Sequence, residues 1–244
     1  MERKVVLITG ASRGIGAATA FYFAKKNYDV VIHYYKGFED ALRIQKQIEE
    51  QYSVNTMVVG ADVSVETEVK KLVEQVYQTM KRIDVLVNNA GISIDTLFYD
   101  KTVEQFKRTI DVNLIGTFLM SKYVGMNMFE QGGSIINLSS TNGIDQGFPM
   151  CLDYDASKAG IISLTKNLAI QYAPKIRVNA VAPGWVATEN ELKELDEDYI
   201  KLEQDKILLH RFGTPEEIAA AIYFLASEEA GFINGTVLRI DGGQ

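Results

Sequence analysis

One cysteine, Cys151, is all the chain has, so no intrachain disulfide is available. That suits a reducing compartment, and the expectation is a cytoplasmic protein. Histidine is nearly as scarce. His33 and His210 stand far apart and lack ligand spacing, so no metal is expected. Four prolines in 244 residues exclude a proline-rich or collagen-like chain. Lys and Arg number 25 against 32 Asp and Glu, and the net charge of -7 argues against broad nucleic-acid binding. No apolar run is long enough to span a bilayer. The start, Met1-Glu2-Arg3-Lys4, runs into a strand-like stretch without a secretory h-region or cleavage site. What is present is an ordinary globular composition, 47% hydrophobic and 23% charged, in a chain long enough to bury a large core.

Short β-branched runs alternate with longer helical patterns. Strands are expected at Lys4 to Thr9, Asp29 to Tyr34, Asn55 to Gly60, Ile83 to Asn88, Ser134 to Ser139, Ile176 to Ala182 and Thr236 to Ile240. Helices are expected between them: up to Lys26, Phe38 to Tyr52, Val65 to Arg82, one long helix from Val103 to Phe129, Asp153 to Tyr172, and one after Pro215, a good first helical residue. Runs apolar on both faces, separated by helices, predict a doubly wound, Rossmann-type parallel α/β sheet of about seven strands with helices on both faces. No repeat or linker breaks the chain, so residues 1–244 read as a single domain. Two stretches interrupt the rhythm, a loop from Ser140 to Leu152 and an insertion at about 184–213, expected to hold one or two helices. Long insertions after strands are where open α/β sheets bind ligands, so 184–213 reads as a substrate lid.

Tyr154 and Lys158 are four apart on a predicted helix and share a face. A cation beside a phenol favours the phenolate. The pair is therefore a candidate general acid/base for a carbonyl or an alcohol. By itself the spacing is common on surface helices. Gly10-Ala11-Ser12-Arg13-Gly14-Ile15-Gly16 follows the first strand and opens a helix. Glycines there permit a tight turn and let backbone N–H groups approach a phosphate, while the helix N-terminus favours negative charge. The spacing differs from the commonest dinucleotide fingerprint. Gly10, Ser12, Arg13, Gly14, Ile15 and Gly16 are candidate cofactor contacts.

The second strand ends His33-Tyr34-Tyr35-Lys36, without the acid that usually holds the ribose 2′-hydroxyl of NAD. Glu39 and Asp40 come only where the next helix begins. Arg13 and Lys36, with Tyr34 beside them, suit a 2′-phosphate instead, hence NADP(H); the alternative is that both cations are solvated surface charges. His33 alternates with apolar neighbours and is expected in the core or at the cofactor rim. Cys151 is expected to pack or line the pocket rather than react.

These residues together resemble the short-chain dehydrogenase/reductase family along essentially the whole chain. The resemblance rests on Thr9-Gly10-Ala11-Ser12-Arg13-Gly14-Ile15-Gly16, Asn88-Asn89-Ala90-Gly91, Asn113, Ser139-Ser140, Tyr154-x-x-x-Lys158, and Pro183-Gly184 with Thr188. It implies that Tyr154 is the general acid/base and that Lys158 lowers its pKa and binds the nicotinamide ribose. Ser140 would hydrogen-bond the substrate oxygen, and Asn113 would kink its helix and hold a water in the proton relay. Thirteen residues separate Ser140 from Tyr154 and fourteen separate Ser139, about one more than the family interval. The resemblance also implies that Asp62 and Val63 meet the adenine and that Asn89, Ala90 and Gly91 lie beneath the adenosine ribose. Pro183, Gly184, Val186 and Thr188 would meet the carboxamide and pyrophosphate. On the residues alone, Asp62 also reads as a helix N-terminal acid and Asn88 as a turn residue.

Within the family the chain is similar to 3-oxoacyl-acyl-carrier-protein reductases, through Arg211-Phe212-Gly213-Thr214-Pro215-Glu216-Glu217 and Asp241-Gly242-Gly243. That implies NADPH-dependent reduction of an acyl-thioester carbonyl in fatty acid biosynthesis by a homotetramer. Two departures stand against it. The basic cluster those enzymes carry is replaced by Met128-Phe129-Glu130-Gln131-Gly132-Gly133, and the loop after Asn-Ala-Gly reads Ile92-Ser93-Ile94-Asp95-Thr96-Leu97. Glu189 to Asp205 holds eight acids against Lys193 and Lys201, either a solvated face or a rim that repels an acidic carrier protein. An NADP-dependent reductase of a sugar, polyol or other small ketone is the alternative. A dinucleotide-sensing regulator without catalysis is the non-enzymatic one.

Overall fold

The computed structural model describes residues 3–189 and 195–244. Seven strands form one sheet: β1 (Val5–Ile8), β2 (Asp29–Tyr34), β3 (Thr56–Gly60), β4 (Val85–Asn88), β5 (Gly133–Leu138), β6 (Ile176–Pro183) and β7 (Val237–Ile240). Their order is β3-β2-β1-β4-β5-β6-β7, every pairing is parallel, and the order reverses between β1 and β4. A doubly wound sheet opens a crevice at that reversal, beyond the carboxyl ends of the strands.

The helices are α1 (Gly14–Lys25), α2 (Phe38–Gln51), α3 (Glu66–Met80), α4 (Val103–Ile110), α5 (Gly116–Met128), α6 (Leu152–Tyr172), α7 (Glu197–Asp205) and α8 (Pro215–Ala226). Alternate residues along each strand point to opposite faces, and this splits the core. Val6, Ile8, Val30 and Ile32 pack with Phe23 of α1, Ile44 of α2 and Ile222 of α8. Leu7, Val31, Leu86 and Ile135 pack with Leu72 of α3 and Val124 of α5. Side chains this fully removed from water stabilise by roughly 1.5–3 kcal/mol each. Residues 5–8 are buried on both faces because helices cover both. The strand β7, at the sheet edge, is only half-buried.

Local chemistry fixes the helix starts. Thr102 and Gln105 form a reciprocal capping box on α4, and Thr214 and Glu217 form another on α8, with Pro215 at its first position as expected.

The long helix expected from Val103 to Phe129 is interrupted. Asp111–Ile115 is π-helical, between α4 and α5. One extra residue per turn lets the backbone bulge where Asn113 reaches sideways out of the helix. Gly116 lies where a side chain would strike Val63 Cγ2 at 2.7 Å, so the chain beyond the bulge packs closely on the turn after β3. In the insertion, α7 is one of the helices expected there; residues 190–194, with Glu191, Lys193 and Glu194, lie outside the described residues. No helix among the described residues is long and apolar enough to cross a membrane.

Candidate active site

The crevice at the sheet reversal is built from the ends of β1 and β4. The Thr9 hydroxyl oxygen accepts from the N–H groups of Asn89 and Ala90, both at 3.0 Å. The Asn89 amide donates back to the carbonyls of Thr9 (2.8 Å) and Gly10 (2.9 Å). These bonds weld the glycine loop to the turn after β4. Gly10 has φ +63°, a left-handed conformation that glycine adopts without strain. At Gly16 a side chain would strike the Gly10 carbonyl at 2.3 Å. The loop is therefore drawn tight and delivers the N-terminus of α1 to the crevice.

His33 completes this frame. Its Nδ1 accepts from Gly10 N–H at 3.1 Å, and its Nε2 donates to the Ala61 carbonyl at 3.0 Å. It is buried, and burial pushes its pKa down to about 4, so the ring is neutral and free to accept at Nδ1. The core position expected for it is met, and the ring braces the glycine loop.

On the other side of the crevice, Lys158 is buried with its Nζ 5.3 Å from the centre of the Tyr154 ring. The ammonium donates to the Leu138 carbonyl at 2.8 Å. Burial pushes its pKa down to about 8, which keeps it mainly cationic at neutral pH. Tyr154 itself is half-buried.

The two serines differ. The Ser139 hydroxyl donates to the Lys158 backbone carbonyl at 2.9 Å. The Ser140 oxygen accepts from Asn142 N–H at 3.2 Å, which leaves its proton for another acceptor. Asp155, next to Tyr154, accepts from the Asn142 amide at 2.7 Å and from Phe148 N–H at 3.2 Å, tying the Ser140 loop to α6.

Asn113 is fully buried. Its amide donates to the Ile92 carbonyl (2.9 Å) and to the Ser157 hydroxyl (3.0 Å), and its oxygen accepts from Ile92 N–H (2.8 Å). Ser157 in turn donates to the Tyr154 carbonyl at 2.7 Å. Gly91 sits between, with an added Cβ placed 3.3 Å from Asn113 Oδ1 and 3.6 Å from Lys158 Nζ. Gly91, Asn113, Tyr154 and Lys158 are thus gathered at one point.

The remaining expected residues spread along the same edge. Thr188 lies over the glycine loop, 3.6 Å from where a Gly14 side chain would be. Val186 is buried and pairs with Gly213, and Gly184 N–H donates to Ile240 O at 3.0 Å. Pro183 ends β6. Ser12 and Val63 are buried, and Ile15 packs on the core. Arg13 and Lys36 are exposed, one before α1 and the other after β2. The Tyr34 ring packs on Gly60 and against Phe38, its centroid 5.5 Å away. Asn88 is no turn residue: it ends β4, buried, and donates to Ser121 Oγ and Asn137 Oδ1. Among the described residues no cluster of His, Cys, Asp and Glu is able to hold a metal ion.

Several residues near the site were not expected from sequence. Thr9 belongs to the motif, but its welding role needs the β1–β4 neighbourhood. Lys101 and Asp153 form a buried ion pair at 2.8 Å that ties the loop after Gly91 to the start of α6. In that loop Asp95 accepts from Ser93 Oγ (2.5 Å) and from Cys151 Sγ (3.1 Å). Cys151 is buried, and burial first, with the neighbouring Asp95 carboxylate, pushes its thiol up to about 12. Held protonated, the thiol is a poor nucleophile, and it packs between α6 and that loop. Arg108, on α4, bonds Asp62 and Ser64.

Comparison with known proteins agrees with this frame. Residues 10–244 match a family model described as enoyl-(acyl carrier protein) reductase. The chain is 42% identical, over 100% of its length and 98% of the relative's, to a 3-oxoacyl-[acyl-carrier-protein] reductase of Thermotoga maritima. It is 37% identical, over 98% of its length and 94% of the relative's, to glucose 1-dehydrogenase 2 of Bacillus subtilis. A crystal structure of a short-chain dehydrogenase/reductase from Burkholderia xenovorans superposes with a TM-score of 0.90 at 31% identity, covering 100% of this chain and 98% of that one. The relatives' names differ in substrate and agree in reaction class. Sheet order, site and relatives converge: the chain belongs to the short-chain dehydrogenase/reductase family of oxidoreductases.

Proposed function

We propose that the chain reduces a carbonyl to an alcohol at the expense of NADPH, with Tyr154 as proton donor. The observation that carries this is the buried Lys158 ammonium seated beneath the Tyr154 ring. A fixed cation lowers the cost of the phenolate, so the phenol releases its proton more readily. Ser140 hydrogen-bonds the substrate oxygen as charge grows there. Asn113 fixes the loop after Gly91 and, through Ser157, the start of α6, and holds a relay water by an oxygen.

The tight glycine loop fits a dinucleotide, because Gly10 and Gly16 let it turn sharply and bring the N-terminus of α1 to the crevice. Bound NADPH would supply the hydride. The glycine loop and Thr188 would hold its pyrophosphate, Asn89, Ala90 and Gly91 the adenosine ribose, and Lys158 the nicotinamide ribose. Asp62 and Val63 would hold the adenine, and Pro183, Gly184 and Val186 the carboxamide side. NADP is favoured over NAD by Arg13 and Lys36 and by the absence of an acid where β2 ends. Residues 184–213 serve as the lid over the substrate.

For the substrate, relatives named as 3-oxoacyl-[acyl-carrier-protein] reductases favour a 3-oxoacyl thioester. A second reading, a sugar, polyol or other small ketone, is favoured by the Ser93–Asp95–Cys151 cluster, which offers hydrogen bonds to hydroxyls beside α6. NADPH oxidation against a panel of 3-oxoacyl thioesters, sugars and small ketones separates the two. Turnover of thioesters alone supports the first, and turnover of the polar ketones alone supports the second.

The same proposal includes a cytoplasmic homotetramer. Phe118 and Met126 on α5 and Ile170 on α6 are exposed apolar residues suited to helix pairing between copies. A one-subunit mass in equilibrium sedimentation contradicts it.

A further inference from the structure

We propose that Arg108, backed by Tyr35, is a positioning residue for the adenine end of the crevice. It holds Asp62 so that one open lone pair of the carboxylate accepts from the 6-amino group of the base. This rests on the dinucleotide reading above and adds a residue to it.

Asp62 follows β3, and Tyr35 follows β2. The two strands pair in parallel register with Tyr34 opposite Gly60, so both residues emerge at the same edge. Arg108 comes from α4, 46 positions away from Asp62 in sequence. Its Nη2 donates to Asp62 Oδ2 at 2.9 Å and its Nη1 to Ser64 Oγ at 2.8 Å. Its guanidinium lies 5.6 Å from the centre of the Tyr35 ring, and Lys36 Nζ lies 5.6 Å from the same ring. Two hydrogen bonds and an aromatic face fix a planar group against rotation.

The carboxylate's bonds can be counted. Oδ1 accepts twice, from Ser64 N–H (3.0 Å) and Ser64 Oγ (2.6 Å), and so is filled. Oδ2 accepts once, from Arg108. An ionised carboxylate has about four acceptor positions, so one is left, on the oxygen that Arg108 holds. Burial works against the charge, but the bonds from Ser64 and Arg108 outweigh it and hold the carboxyl below its usual range. Asp62 is thus a permanent acceptor at the carboxyl ends of β2 and β3, with no donor of its own. A ligand placed there must offer a donor hydrogen, and the 6-amino group of adenine offers one in the plane of its ring.

The test measures dissociation constants by calorimetry for NADPH and for its hypoxanthine analogue, in which a carbonyl oxygen replaces the amine. The wild-type protein is expected to bind the analogue about tenfold more weakly, as an acceptor now faces an acceptor. Arg108→Met keeps the stem and removes the fork. It is expected to weaken NADPH about tenfold and to bring the two constants together. A residue that only supports the fold would weaken both ligands and leave their ratio unchanged. Equal binding of the two ligands by the wild-type protein, or an undiminished ratio in Arg108→Met, overturns the role given to Arg108. Failure of the wild-type protein to bind either ligand instead overturns the dinucleotide reading itself. Should Arg108→Met not fold, Arg108→Lys, which keeps the charge but not the fork, is measured with the same outcomes.

Discussion

The Nζ of Lys158 lies 5.3 Å from the centre of the Tyr154 ring and donates to the Leu138 carbonyl, the last of β5. A sheet end therefore seats the cation, and one helical turn carries the phenol over it. Burial pushes the Lys158 pKa down to about 8, so the pair works in a window set by the fold. Below about 8 the ammonium is charged, the state in which it can support proton donation by the phenol beside it. Above it the ammonium loses its proton. The expected result is a kcat/KM for NADPH in the reductive direction that falls above about pH 8, about tenfold per unit. A profile level to pH 9.5, on the order of a unit past that limb, contradicts this seating of the cation.

The adjacent serines are expected to part company on mutation. Ser140→Ala removes the hydroxyl whose proton is left for the substrate and should lower kcat about a hundredfold with little change in stability. Ser139→Ala removes a buried bond to the Lys158 carbonyl and should cost about 1 kcal/mol in urea unfolding. Steady-state kinetics and urea midpoints on both variants check this, and a larger kinetic loss in Ser139→Ala reverses the assignment.

His33 predicts an acid limb in stability. Its folded pKa, about 4, is below the ordinary 6.5 because burial disfavours the charged ring. Between those values the unfolded chain binds a proton that the folded chain refuses. The stability is thus fully present above pH 6.5 and is lost as pH falls toward 4, up to about 3 kcal/mol. Urea midpoints of His33→Gln and the wild-type protein should differ in slope across that window. Parallel slopes contradict a neutral His33 holding Gly10.

Much of the fold was legible because its signals are local. Lys4 to Thr9 read as a doubly buried strand from its apolar, β-branched run, and Pro215 read as a helix start because proline suits the first helical position. The catalytic candidates were legible because Tyr154 and Lys158 lie one turn apart. The break at Asp111–Ile115 was legible only as the kink that the resemblance implied at Asn113, since one extra residue in a helix leaves the apolar pattern on either side intact over so short a span. Its causes, the Asn113 bonds to Ile92 and Ser157, cross 21 and 44 positions. Arg108 was invisible for the same reason: an arginine on a helix reads as a solvated charge until β3 brings Asp62 beneath it. The serine assignment became sharper only when the two hydroxyl partners were seen.

Tyr154→Phe bears most directly on the central claim. With any carbonyl substrate the wild-type protein reduces, kcat for NADPH oxidation should fall by about a thousandfold, since positioned acid catalysis contributes roughly 10²–10⁴. NADPH affinity should stay within about twofold, because the lost hydroxyl serves the proton and not the hold on the cofactor. Turnover by Tyr154→Phe at the wild-type rate contradicts the proposal that Tyr154 donates the proton.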